Sequence, residues 1–373
     1  MAKSPTRLRK FLGWVIQLLL WPLISCLVLS YLSPFISPDK AWWISFFGLA
    51  YPIFLLSAIG FMVVFLLTKS RRIYSIGLVL LLGLPLHIRY FSLGWSAEQA
   101  DYPNDNTLRV MSYNVRLFNY YEWLDEDRNT SRDSIYAHIR AVQPDVICFQ
   151  EYLTVQGSNF IRNNDIRALG DYRYYTEKYS IAKANRRIGI ATFSKYPILY
   201  SELLEYENTS KQFAVFTDIV KENDTVRVYN IHLQSIRIQQ DDYDFLNIEE
   251  TSNEDAKNGI KRMIQKLKYA YPLRATQAVS IVQHAQSSPY PVVICGDFND
   301  TPMSYVYNAF NSSFEDAFQG NYLGLGSTYA GKLPAGRIDY IFHSSALEAI
   351  SFSVQDQAHS DHYSIHTDLI FRQ

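Results

Sequence analysis

The chain has 373 residues, with 35 Lys/Arg against 36 Asp/Glu and a formal net charge of −1. That length covers two domains, or one large domain with an appendage, and three cysteines exclude a disulfide-built framework. The near-neutral total conceals a split. Residues 1–100 hold nine Lys/Arg and two Asp/Glu, leaving 26 basic and 34 acidic residues in 101–373, a net of −8 that counts against a tight or processive binder of duplex nucleic acid.

Phe11–Leu32 is a 22-residue stretch without a charge, and Ala41–Thr68 is another of 28 residues. Both exceed the roughly 20 residues a helix needs to cross a bilayer. A third segment, 73–95, is apolar to Leu86 and then carries His87, Arg89, Tyr90, Phe91 and Trp95, the composition of an interfacial belt. These features predict a transmembrane anchor over residues 1–100, with spans at about 11–32, 41–68 and 73–95. A buried helical hairpin of a soluble protein is the competing reading. A cleaved signal peptide fits poorly, because the first span is long and a second follows. Lys3, Arg7, Arg9 and Lys10 precede the first span, whereas the loop 33–40 has one Lys, so the N-terminus is expected in the cytoplasm. Three spans then place everything after residue 100 outside the cytoplasmic membrane, and two would place it inside.

After a polar linker at 101–106, residues 107–373 read as one α/β domain. Leu108–Val115 alternates like a half-buried strand and presents Asn114, and a helix is expected over about 131–142. Asp145–Glu151 reads as a strand ending in an acid, Arg187–Pro197 as a strand and turn, and 213–220 with 226–233 as a hairpin carrying His232 near its end. An acidic, poorly patterned stretch at 239–255 precedes a basic amphipathic helix, which Pro272 is expected to break before a further helix to about Gln286. That basic helix suits packing on the domain, or a membrane-seeking surface or substrate lid. The run Val292–Cys295 is a buried strand, expected to end at Gly296 and to deliver Asp297 and Asn299 beyond it. A strand at 337–342 presents Asp339, and the last strand is expected to begin at Ser360–Asp361–His362. Cys26, Cys148 and Cys295 lie in apolar segments and read as buried thiols.

Each polar residue at a strand end has a plain explanation: an Asx turn at Asp297, a satisfied core histidine at His232, a surface ion pair between Arg337 and Asp339. Together they gather oxygen ligands and imidazoles on one rim of a β-sandwich, as metal-assisted phosphoester hydrolysis requires. The segments Ser112-Tyr-Asn114, Gln150-Glu151, Asn230-Ile-His232-Leu, Gly296-Asp-Phe-Asn299, Arg337-Ile-Asp339-Tyr and Ser360-Asp-His362 resemble, in this order, the motif set of the endonuclease/exonuclease/phosphatase superfamily. The resemblance covers about residues 106–371. It implies a four-layer αββα, DNase I-like sandwich that uses Mg²⁺, with Mn²⁺ as a substitute. Glu151, Asn114 and Asp361 would hold the metal. His362 would be the general base oriented by Asp339, Asp297 would align the attacking water, and Asn299 and His232 would donate to the phosphoryl oxygens.

The substrate is less legible. The inositol-phosphatase branch has Trp-Cys-Asp-Arg near its late aspartate, whereas this chain has Pro334-Ala-Gly-Arg-Ile-Asp339. The apolar N-terminus favours a membrane-anchored phosphodiesterase acting on a lipid headgroup or another small phosphodiester. A membrane-tethered nuclease and a non-catalytic membrane scaffold are the alternatives. The implied partners are a phosphoester substrate and the lipid bilayer; no dedicated protein partner is inferable.

Overall fold

The computed structural model describes residues 7–94, 107–124, 126–183, 185–204, 214–236, 253–331 and 336–372. The chain divides into two compact units, Met1–Arg89 with Met303–Tyr305, and Tyr90–Pro302 with Val306–Gln373.

In the first unit, helix α1 spans Arg7–Leu32 and runs through Pro22. Its segment Gly13–Leu32 is, among the described residues, the one helix long and apolar enough to cross a membrane. The two further spans expected from the sequence are not continuous helices. Residues 41–68 are divided into short helices Pro38–Ala41 and Ile44–Leu49 followed by α2, Tyr51–Leu67, which opens with Pro52 in its first turn. Residues 73–95 give α3, Ile73–Leu82, then a four-residue helix with Pro85 at its start. Proline lacks the N–H that a helix interior requires and is tolerated in a first turn, so Pro52 and Pro85 each begin a new helix. At 1.5 Å per residue, α2 reaches about 25 Å and α3 about 15 Å, short of a roughly 30 Å hydrocarbon core. These helices still expose apolar side chains on their outer faces, among them Leu18, Trp21, Leu56, Leu67 and Leu82, each more than half accessible.

The second unit is built on two mixed sheets. Its strands are β1 Thr107–Asn114, β2 Val146–Val155, β3 Tyr174–Lys183, β4 Arg186–Ser194, β5 Ile198–Leu204, β6 Ala214–Lys221, β7 Asp224–His232, β8 Val292–Asp297, β9 Asp339–His343 and β10 Ile365–Phe371. Among the described residues one sheet runs β9-β8-β7-β6-β5, with Glu315–Asp316 beyond β9. The other runs β10-β1-β2-β4-β3, with Leu347–Ala349 beyond β10.

Alternation along the strands sorts side chains into layers. Val110, Cys148, Val228, Val293, Cys295 and Ile341 meet between the sheets. Met111, Ile147 and Phe193 face the other way, onto Ile135 and Ile139 of helix α4, Arg128–Val142. Phe216, Ile231 and Ile294 pack against Ala278, Ile281 and Ala285 of helix α5, Asn253–Gln286. The order helix, sheet, sheet, helix is the expected αββα sandwich.

Four local expectations are corrected. Helix α5 passes through Pro272 without ending, because Leu267, Tyr271, Ala275 and Ala278 on both sides of it are buried along one face. Tertiary packing outweighs the lost hydrogen bond there. Gly296 lies inside β8 and does not end it. Glu151 lies inside β2, not at its end. Ser360–His362 form a loop before β10. The acidic stretch up to residue 252 lies outside the described residues.

Candidate active site

Strand register brings the site together. Parallel pairing of β7 and β8 sets His232 opposite Asp297, and antiparallel pairing of β9 with β8 sets Asp339 opposite the same residue. In the other sheet Asn114 is level with Gln150, and Ile365 with Ser112, so the loop before β10 passes over the end of β1. The Ser360 hydroxyl donates to the Asn114 carbonyl at 2.8 Å and fixes that loop. Because neighbouring strands are antiparallel, the start of β9 and the approach to β10 lie at the same rim as the ends of β1, β7 and β8.

Asp297 is the hub, and it is 1% exposed, so its charge needs partners. Its Oδ2 accepts from Asn114 Nδ2 at 3.0 Å and lies 3.6 Å from His232 Nε2 and 3.8 Å from His362 Nε2. Its Oδ1 accepts from the Asn299 backbone N–H at 2.8 Å, a turn in which Asn299 takes a positive φ of 54°. The Asn299 side chain donates to the Leu233 carbonyl at 3.2 Å, which holds it beside His232. Glu151 Oε1 is 3.9 Å from His232 Nε2. The structure therefore gathers six of the eight sequence-derived residues around Asp297 and His232; Asp339 joins them through His362, and Asp361 precedes His362 in the chain.

The second hydrogen-bonded unit is His362–Asp339. His362 Nδ1 is 2.9 Å from Asp339 Oδ2, so its Nε2 is the nitrogen aimed at Asp297 and the open rim. Thr328 Oγ1 accepts from the Asp339 backbone N–H at 3.0 Å, and the Tyr329 ring meets the imidazole edge-on at 5.4 Å. Burial opposes the imidazolium of His362, but the Asp339 and Asp297 carboxylates outweigh it and hold its pKa well above the ordinary value. Burial pushes the Asp339 carboxyl up to about 6, against the opposing pull of His362. Both shifts are those of a pair that shares a proton, and a cation held by the neighbouring carboxylates would oppose the imidazolium and free Nε2. The Glu151 carboxyl is likewise raised, chiefly by burial and in part by the charges of Asp361 and Asp297.

Asp361 is bound by Arg116 at 3.2 Å, a residue with no role in the sequence reading. Arg116 begins a run of four left-handed residues, Arg116–Asn119, and its guanidinium lies 5.2 Å from the ring centre of Trp123, which stacks on Tyr121. Only its place two residues after Asn114 could have singled it out. Thr328 carries no sequence signal at all. Arg337 forms no surface pair with Asp339: it is buried against Asp316 at 2.7 Å.

This donor set fits a hard divalent cation. Asp339 is balanced by His362 and Asp361 by Arg116, which leaves the Glu151 and Asp297 carboxylates in excess at one rim. The buried Nε2 of His232 makes no hydrogen bond among the described residues. Among the described residues Asp297, Asp339 and His362 also offer ligand atoms within 4.8 Å of one another. There the His362–Asp339 contact has hydrogen-bond geometry, and Mg²⁺ favours oxygen donors such as Glu151, Asn114 and Asp361.

Residues 111–362 match the sequence profile of the endonuclease/exonuclease/phosphatase family. The chain belongs to that family. It is therefore a metal-dependent hydrolase, which sets aside the scaffold alternative. Residues 9–90 match a second profile, described as a domain of unknown function. No curated protein sequence matches the chain. Among solved structures, an endonuclease/exonuclease/phosphatase from Bacteroides vulgatus is 18% identical, with 71% of this chain and 99% of that one covered and a TM-score of 0.50. A member from Beutenbergia cavernae is 17% identical, with 71% and 72% covered and a TM-score of 0.49. The human Nocturnin catalytic domain with bound sulfate is 19% identical, with 72% and 94% covered and a TM-score of 0.48. The first of these likenesses supports the endonuclease/exonuclease/phosphatase fold.

Proposed function

We propose that this family member is a membrane-anchored, Mg²⁺-dependent phosphodiesterase acting on a lipid headgroup or another small phosphodiester. The observation that carries the hydrolytic half is the convergence of His232 and His362 on Asp297, with Glu151 on the other side of His232 Nε2. Glu151, Asn114 and Asp361 would hold the ion, with Mn²⁺ as a substitute. When bound, the ion supplies Lewis-acid polarisation of a phosphoryl oxygen. His362 accepts the proton of the attacking water at Nε2, while Asp339 fixes the tautomer through Nδ1. Asp297 aligns that water. Asn299 and His232 donate to the phosphoryl oxygens, and His232 gives a proton to the leaving oxygen.

The anchoring half rests on α1 and on the apolar side chains exposed around α1–α3, which water would not favour. With the N-terminus cytoplasmic, any odd number of crossings puts the catalytic unit outside the cytoplasmic membrane. A reporter fused after Gln373 that works only in the cytoplasm would overturn that topology.

Membrane-tethered nuclease activity is the second reading, favoured by the exposed Tyr121–Trp123 stack with Arg116 and Arg186 alongside, a surface suited to bases and phosphates. One assay separates the two. The detergent-solubilised chain with Mg²⁺ is given phospholipid vesicles and plasmid DNA, with Glu151→Gln as the inactive control. Released headgroup with intact plasmid supports the first reading; nicked plasmid with untouched lipid supports the second.

A further inference from the structure

Glu151 reaches the site through an irregular backbone. On β2 and β4 the register passes from Phe149 opposite Ala191 to Tyr152 opposite Gly189, so β2 holds one extra residue. Glu151 absorbs it with a φ of +51°, a conformation unfavourable for a side chain of this kind. A bulge of this type interrupts the ladder and leaves main-chain groups in need of partners. They find one in the opposite sheet. Asn230 of β7 donates its amide to the carbonyls of Phe149 at 3.2 Å and Ala191 at 3.0 Å, the last regular pair before the bulge. Its Oδ1 accepts from Gln150 Nε2 at 2.7 Å, and Gln150 in turn donates to the Cys148 carbonyl at 3.2 Å. Asn230 and Gln150 are both 0% exposed.

One buried amide thus touches the residue before the bulge, the strand opposite it, and Gln150 next to Glu151. It stands two residues before His232 on the same strand, so β7 delivers His232 and braces Glu151 together. We infer that Asn230 is a positioning residue: through the Phe149 and Ala191 carbonyls and Gln150 it holds the Glu151 bulge in the conformation that presents the carboxylate for metal binding. This rests on the metal site proposed above. Its physical basis is general: groups behind a ligand set its orientation, and their loss weakens metal binding about 10- to 100-fold. A bulge held by one side chain from another sheet is also a place where a small chemical change is felt, because a half-satisfied buried amide network has no water to replace the missing partner.

The test is calorimetric titration of the detergent-solubilised full chain with Mn²⁺ alone. Asn230→Asp keeps the side-chain volume and the acceptor for Gln150 but removes the amide donor. It should bind Mn²⁺ about 10- to 100-fold more weakly than wild type. Val228→Ala, a cavity two residues earlier on β7 and facing the core between the sheets, is the control for general loss of stability. It should melt lower yet bind the ion as wild type does. Unchanged affinity in Asn230→Asp would overturn the inference, as would equal weakening in Val228→Ala. Asn230→Ser provides a second variant, and failure of both Asn230 variants to fold would assign the amide to stability alone and overturn it too. Absence of Mn²⁺ binding in wild type would instead defeat the metal-site reading itself, and this inference with it.

Discussion

At the scale of single residues, the site divides labour by burial. His362 is 5% exposed and fully engaged through Nδ1, so only Nε2 is left for chemistry. Removing a positioned general base typically costs about 10²- to 10⁴-fold in rate. His362→Ala should lose kcat by that factor on the best substrate while circular dichroism stays native; wild-type turnover would exclude it as the base. Arg337 and Asp316 make the opposite case, structure without chemistry. Their contact at 2.7 Å is buried on both sides, and the guanidinium lies between the rings of Phe318 and Tyr340. Asp316→Ala leaves that cation without its anion, which should cost roughly 3–5 kcal/mol. Chemical denaturation should show the loss, while kcat per folded molecule remains near wild type.

At the scale of elements, the sequence showed which strands exist better than it showed how they bend. Period-2 alternation exposes β1, and an unbroken apolar run exposes β8, which buries one face between the sheets and the other beneath a helix. Neither pattern could expose the β2 bulge, since Val-Ile-Cys-Phe-Gln-Glu reads the same with or without an extra residue. The segment Ser360–His362 reads as strand but is loop: His362 makes an isolated bridge to Tyr329, and the ladder starts only at Ile365. Pro272 misled because local propensity says nothing of the buried face that carries α5 past it. Gly296 is the instructive reversal. A glycine in an apolar run suggests an end, yet here it marks close approach: its φ is +149°, and a Cβ would stand 1.9 Å from the Ile231 carbonyl of β7. No flexible side chain can yield there. Gly296→Ala should push β8 away from β7, costing at least about 2 kcal/mol. Because His232 and Asp297 are registered across that seam, activity should fall further than stability alone explains. A variant with wild-type melting and turnover would remove the seam from the argument.

At the scale of the whole molecule, charge-free length overstates helix length, because prolines that start helices divide two of the three apolar stretches. The folded catalytic unit holds a different property that no motif reveals: two half-buried histidines whose desolvation outweighs the carboxylates near them, Asp356 at His138 and Asp368 at His366. His138 on α4 contacts the Ser364 hydroxyl at 2.7 Å, and His366 lies on β10 opposite Met111. Burial lowers both pKa values to about 4, with His359 adding to the effect at His138 and Arg109 and His138 adding to it at His366. An unfolded histidine titrates near 6.5, so between about pH 6.5 and pH 4 the unfolded chain takes up protons that the folded chain refuses. The stability tied to these groups is complete above that window and drains away as pH falls through it. From pH 7 to pH 5 the loss is on the order of 2 kcal/mol for each histidine. Urea denaturation at both pH values should therefore show a smaller drop for His366→Gln than for wild type, because the variant no longer carries that proton-linked penalty. Equal drops in the two proteins would mean that His366 is protonated as readily inside the fold as outside it, and the acid sensitivity would have to come from the carboxylates instead.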